Sequence, residues 1–212
     1  METAERIGAD KFYDYMIKFG FSEKTGIDLN GEAKGILHKK ENIGPVELAT
    51  MSFGQTFQIT PIQLVRAAAA VVNGGRLVTP HFAMRIEDEN GFTVKNFKWE
   101  CDKRIISEET SKTMRELLGD VVSKGSGNKA KIEGYSIGGK TATSQKLPRG
   151  NGKYIASFMA FAPTDKPQVM AFVLIDEPQG VYYGGSVAGP VMKDLLLNIL
   201  PYLNIEKTAE IG

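Results

Sequence analysis

The run Gly134-Tyr-Ser-Ile-Gly-Gly-Lys140-Thr141-Ala142-Thr143-Ser144-Gln145 constrains this chain more than any other stretch, because it fits two incompatible backbones. Gly134 to Thr141 has the Gly-x-x-x-x-Gly-Lys-Thr spacing of a phosphate-binding loop. That loop works only if the chain turns into a helix after the lysine, so that free N–H groups at the helix start hold phosphates. The same residues also suit an extended strand. Thr141 and Thr143 are β-branched, and side chains two apart on a strand share a face.

What surrounds the motif separates the two backbones. After Lys140 come Thr-Ala-Thr-Ser-Gln-Lys-Leu-Pro148-Arg-Gly150-Asn-Gly152, with no apolar helical period before Tyr154. The segment ahead of Gly134, Lys124 to Glu133, is polar where a phosphate loop needs a buried strand. The apolar run Val169 to Asp176, closed by Glu177, resembles the second acidic element of nucleoside triphosphatases and keeps that reading open. As an edge strand, the segment is expected to bring Lys140 and the hydroxyls of Thr141 and Thr143 to one face, a cradle for a carboxylate. Gly138, Gly139 and Ala142 would let a substrate or a facing backbone come close.

The rest of the chain reads as α+β, an antiparallel sheet flanked by helices. Helices are expected from Asp10 to Gly20, from Gly44-Pro45 to about Ser52, and from Thr60-Pro61 to Asn73 with Thr60 as cap. Two more run from Ser107 to about Val122 and from about Ala188 to Leu200. Their expected buried stripes are Ile62, Val65, Ala69 and Val72; Met114, Leu117, Leu118 and Val121; and Val191, Leu195 and Ile199. Strands are expected at Leu77 to Ile86 and Phe92 to Phe97, joined through Asn90-Gly91, then at Tyr135 to Gln145, Tyr154 to Ala162 and Val169 to Asp176. Short connections between the last three favour antiparallel neighbours. Three stretches result: a mostly helical one (1–76), a hairpin with a helix (77–133), and sheet strands with a final helix (134–205).

Composition narrows the function. Charges balance at a net of +1 with no run of five like charges, which argues against a nucleic-acid stripe, and no nucleic-acid partner is expected. Cys101 is the single cysteine and His38 and His81 are far apart, so neither a disulfide nor a metal site is expected, and no cofactor. No apolar stretch approaches the roughly 18 to 20 residues of a membrane span, and the N-terminus carries no signal-peptide core. The chain is expected to be soluble.

Several segments, in order, resemble the C-terminal portion of class B penicillin-binding protein transpeptidase domains. They are Ile7 to Tyr13, Phe19 to Asp28, Ser52-Phe-Gly-Gln55, Ile59 to Leu64, Asn73 to Pro80, Gly138 to Gln145, Phe158 to Pro163 and Tyr183 to Pro190. The run Gln179-Gly-Val-Tyr-Tyr-Gly-Gly is similar to the sporulation- or division-type branch. The resemblance implies an incomplete serine β-lactamase-like fold and D,D-transpeptidase chemistry. A serine attacks a D-Ala-D-Ala stem peptide, or a β-lactam, and an amine then takes the acyl group. It implies that Lys140 supplies charge at the cleft and that Thr141 and Thr143 bind the donor carboxylate, with Ser144 and Gln145 as further contacts. The backbone N–H of Thr143 becomes an oxyanion donor. Ala142 stands where the family usually has glycine. The full-length protein is then expected to be membrane-anchored, working on the extracytoplasmic face.

The family's Ser-x-x-Lys and Ser-x-Asn motifs have no separate counterparts in this chain. Their only matches, Ser126-Gly-Asn-Lys129 and Ser126-Gly127-Asn128, share one serine between glycines that disfavour a helix. Ser126 to Lys129 is therefore expected to be a solvated loop, and the chain alone inactive. Missing sheet strands are expected to leave apolar surface uncovered and to promote self-association. Two other functions stay open: a non-catalytic peptidoglycan- or β-lactam-binding module, and a nucleoside triphosphatase.

Overall fold

The computed structural model describes residues 1–99 and 103–207, so Cys101 lies outside the described residues. The chain divides into two compact units, Met1–Ser107 and Glu108–Gly212.

In the first unit, α1 (Glu2–Ile7) and α2 (Ala9–Lys18) meet at Gly8, whose φ of 82° breaks the helix at little cost to a glycine. α2 begins at Ala9 with Gly8 as its N-cap, so Asp10 lies inside the first turn rather than capping it. α3 (Pro45–Met51) and α4 (Pro61–Val72) start where Pro suits a first helical position. At Thr60 the capping is reciprocal: its hydroxyl accepts the Gln63 amide at 3.3 Å and its own amide donates to Gln63 Oε1 at 2.9 Å. Gln63 is buried and also bonds Gly35 N and Glu23 O, pinning the loop before α3. That role rotates α4 from the expected stripe. Gln63, Ala67, Ala70 and Val72 are buried, while Ile62, Val65 and Ala69 are only partly covered.

The expected long strand from Leu77 is interrupted. β1 (Arg76–Leu77) pairs with β4 (Lys103–Arg104), and β2 (Arg85–Glu87) pairs with β3 (Thr93–Asn96). Between β1 and β2 the Asp28 carboxylate accepts the amides of Phe82 and Ala83, both at 2.8 Å, and holds the chain out of a ladder. The Asn90-Gly91 turn forms as expected, with Gly91 at φ 83° and Asp88 Oδ1 accepting the amides of Asn90 and Phe92.

The second unit carries the site. Helix α5 (Glu108–Ser123) precedes a sheet of β5 (Gly138–Gln145), β6 (Tyr154–Ala162) and β7 (Val169–Asp176), antiparallel in the order β5-β6-β7. Helix α6 (Gly184–Tyr202) follows. One sheet face packs into a core of Phe158, Ala160 and Ala162 with Val122 of α5 and Ala188, Met192, Leu196 and Leu200 of α6. The α6 stripe is thus one residue out of phase with the expectation, and Val191 and Leu195 are 47% and 37% exposed. The physical reason lies at the helix start. α6 begins at Gly184, whose close approach to the sheet fixes the rotation of everything after it. On α5, likewise, Ser111 and Val122 are buried and Leu117 is exposed.

The other face of the sheet, carrying Met159, Phe172 and Leu174, is only partly covered, with Leu174 42% exposed. Apolar surface on the strands is therefore open to solvent in this unit.

Candidate functional site: the outer strand β5

Backbone geometry decides between the two readings of the lysine motif. Gly138 to Gln145 is continuous strand, in register with β6 from Gly138↔Phe161 to Gln145↔Tyr154. No helix begins at Thr141, so phosphate-loop geometry is absent. The acidic pair after β7 is engaged elsewhere: Lys146 Nζ donates to Asp176 at 2.9 Å and to Glu177 at 2.8 Å. The nucleoside triphosphatase reading is overturned.

Parity along β5 determines what faces outward. The Lys146 amide donates to Lys153 O at 2.9 Å, which makes that pair a hydrogen-bonded one in the same register. In an antiparallel ladder such pairs alternate. Lys140, Ala142 and Ser144 therefore exchange bonds with β6, whereas Gly139, Thr141, Thr143 and Gln145 turn N–H and C=O away from it. Because β5 is the outer strand, those groups lie on a free edge, the Thr143 amide among them.

Side chains obey the same alternation, which corrects one expectation. Thr141 and Thr143 do share a face, but Lys140 lies on the opposite one with Ala142. The faces are identified by partners: Thr141 sits opposite Phe158 of the core, and Lys140 opposite Met159. The ammonium returns to the edge by length alone. Lys140 Nζ donates to the Thr141 carbonyl at 2.8 Å, so the cation lies on the outer edge of the strand. Ala142 is exposed on the lysine face, pointing away from Thr141 and Thr143.

Each threonine hydroxyl has a partner behind it. Thr143 Oγ1 accepts the Gly184 amide, first in α6, at 3.0 Å. Thr141 Oγ1 lies 3.2 Å from Ser126 Oγ. The Ser126 loop is therefore only partly the solvated loop expected. Ser126 and Lys129 are exposed, but Gly127 and Ala130 are buried, and Asn128–Ala130 forms a 3-10 turn. That conformation gives no helical Ser-x-x-Lys.

The glycines serve packing more than substrate access. A methyl on Gly138 would collide with the Phe161 ring, and one on Gly139 would come within 2.5 Å of Met159 O and 2.8 Å of Phe158 Cε1. At Gly139 the facing backbone of β6 comes close, as expected, whereas at Gly138 the Phe161 ring fills the space.

Two features escaped the sequence reading. Tyr154 of β6 stacks on Tyr182 with ring centroids 3.9 Å apart, and Tyr183 lies 4.6 Å further on. Tyr154 is the cross-strand partner of Gln145, so this aromatic ladder stands at the end of β5. Only the Tyr-Tyr-Gly-Gly run signalled it. Beside it, Glu177 receives Lys146 and Lys153 together. Hydrogen bonds from Lys146 first, then Lys153, hold the Glu177 carboxyl below its ordinary range; the Glu177 and Asp176 contacts raise Lys146. Among the described residues no cluster of His, Cys, Asp or Glu could hold a metal ion, and no helix is long and apolar enough to cross a membrane.

The penicillin-binding protein transpeptidase domain family matches residues 1–197. Stage V sporulation protein D of Bacillus subtilis is 45% identical over 211 residues, covering 97% of this chain and 33% of that protein. The probable peptidoglycan D,D-transpeptidase PenA of Neisseria meningitidis serogroup A is 35% identical, covering 98% and 35%. The crystal structure of penicillin-binding protein 3 from Mycobacterium tuberculosis, complexed with ampicillin, superposes with a TM-score of 0.88 at 25% identity. It covers 98% of this chain and 49% of that one. The chain thus spans about a third of the length of the curated relatives it matches. With a family match over almost its whole length and the extended Lys140 strand in place, this chain belongs to the penicillin-binding protein transpeptidase domain family.

Proposed function

We propose that residues 1–212 supply the donor-binding strand of a peptidoglycan D,D-transpeptidase of the sporulation or division type. The observation that carries the reading is the free edge of β5, with Lys140 Nζ, the Thr141 and Thr143 hydroxyls and the outward Thr143 amide along one strand. An extended stem peptide ending in D-Ala-D-Ala, or a β-lactam in its place, adds to such an edge through backbone bonds. Its carboxylate is held by Thr141 and Thr143, with the Lys140 charge beside them. Ser144 and Gln145 continue the contact towards the tyrosine ladder.

In the acylation step a serine oxygen bonds to the scissile carbonyl carbon, and the tetrahedral oxyanion takes the Thr143 N–H as one donor. Removing such a donor costs about 3 to 4 kcal/mol of transition-state stabilisation. The bond to the leaving D-alanine or lactam nitrogen then breaks, and that nitrogen takes the proton. The nucleophilic serine comes from outside these residues, since Ser126 sits in a glycine-flanked turn with no helical lysine partner. The full-length enzyme works at the extracytoplasmic face of the membrane.

Labelling with a fluorescent penicillin tests this. The full-length protein should be labelled, and Lys140→Ala should slow labelling at least tenfold. Residues 1–212 alone should stay unlabelled. Stoichiometric labelling of Ser126 would sink the assignment of the nucleophile. Unchanged labelling of the Lys140→Ala protein would sink the role of the strand.

A further inference from the structure

We infer that Ser126 is a positioning residue that turns the Thr141 hydroxyl into a donor aimed at an anionic ligand; this rests on the function proposed above. A threonine hydroxyl has one proton and two lone pairs, and binds a carboxylate only when the proton points at it. At Thr143 the proton's direction is set by the Gly184 amide, which occupies a lone pair at 3.0 Å and leaves the O–H to donate elsewhere. Among the described residues no backbone amide meets Thr141 Oγ1. Its partner is Ser126 Oγ at 3.2 Å, and a serine that donates there does for Thr141 what Gly184 does for Thr143. A chain of donors also polarises the last O–H, which strengthens its bond to an anion.

The surroundings show that Ser126 is built into this place. The turn is tied to α5 by Gly127 N donating to Val121 O at 2.9 Å, and closed by Asn128 N on Gly125 O and Ala130 N on Gly127 O. A methyl on Gly127 would lie 3.1 Å from the Phe158 ring, so the turn seats on the core without a side chain. From the other side, a methyl on Gly185 would come within 2.6 Å of Ser126 O and 3.3 Å of Thr141 Cγ2. Gly185 therefore lets α6 press the serine and the threonine together, fixing the Thr141 rotamer with its methyl inward. The sequence resemblance gives Ser126 no role in catalysis.

The discriminating probe is a matched pair of β-lactams in the full-length protein, one a free carboxylate and one its methyl ester. Second-order acylation rates are measured for each. Ser126→Ala should slow acylation by the acid roughly three- to tenfold and leave the ester unchanged, the loss expected for one hydrogen-bond partner. Ser126→Thr, which keeps the hydroxyl, should stay near the parent. Ser126→Cys, a weaker donor of similar size, should fall between. Equal slowing of acid and ester, or no slowing of the acid, overturns the inference. Lys140→Ala and Thr143→Val run alongside: if they too leave acid acylation unchanged, the donor-strand reading fails with it. If only the Ser126 variants are silent, this inference fails alone.

Discussion

The Gly184 amide and the Thr143 hydroxyl meet at 3.0 Å, joining the first residue of α6 to the strand that carries the lysine motif. Replacing Thr143 by Val removes the acceptor and leaves that partly buried amide unpaired, a cost of about 1 to 3 kcal/mol. Acylation of the full-length protein by a penicillin should fall roughly ten- to a hundredfold with Val and within about threefold with Ser. Equal losses for the two variants would show that the hydroxyl is not what matters.

Gly138→Ala should be among the most destabilising single-methyl changes in this unit. Its methyl has no space against Phe161, which is itself buried. Overpacking of this kind costs about 1 to 3 kcal/mol. Thermal unfolding should report a drop of several degrees, whereas Gly150→Ala, with nothing near its added carbon, should suffer mainly from its positive φ.

The rotation of α6 gives a paired test. Leu196 is fully buried and Leu195 more than a third exposed. Leu196→Ala should cost about 2 to 5 kcal/mol and Leu195→Ala less than about 1. Denaturant midpoints reversing that order would contradict the packing of α6 on the sheet.

The Lys146–Glu177–Lys153 cluster sets a pH dependence with a definite sign. Glu177 binds its proton less tightly folded than unfolded, so its contribution is present above the ordinary glutamate range and lost as pH falls below that range through the lowered folded value. Lys146 is raised, so its contribution is present below the ordinary lysine range and lost as pH rises above that range through the raised folded value. Glu177→Gln should flatten stability against pH on the acid side. The effect should be small, because the cluster is solvent-accessible and salt-screened. A Gln variant with the parent's acid slope would remove the cluster from the account.

The partly covered face with Met159, Phe172 and Leu174 should drive residues 1–212 to associate. Leu174→Lys should lower the sedimentation-average mass without lowering the melting temperature by more than a few degrees. A parent chain already monomeric at high concentration would refute this.

Much of this architecture was legible in the sequence, because local rules and tertiary packing agree. Thr60-Pro61 caps α4 as its residue types require, and the ranges of β6 and β7 coincide with the apolar runs that named them. Three things resisted. Helical phase failed where a small or polar residue made the close contact, as Gln63 does in α4 and Gly184 in α6, because apolar periodicity is blind to both. The expected strand from Leu77 is interrupted, since the Asp28 carboxylate, 54 residues from Phe82, takes the amides that a ladder would need. At the site, alternation puts Lys140 on the face opposite Thr141 and Thr143 rather than with them, and the Ser126–Thr141 contact joins residues 15 apart that no motif links.

A strand whose outer edge is unpaired is also an invitation to other strands. Lys140 puts charge on the outer strand, and natural sheets use lysine in this position to discourage stacking between molecules. Swapping Lys140 for a neutral residue should therefore also shorten shelf life, through fibrils seeded along β5.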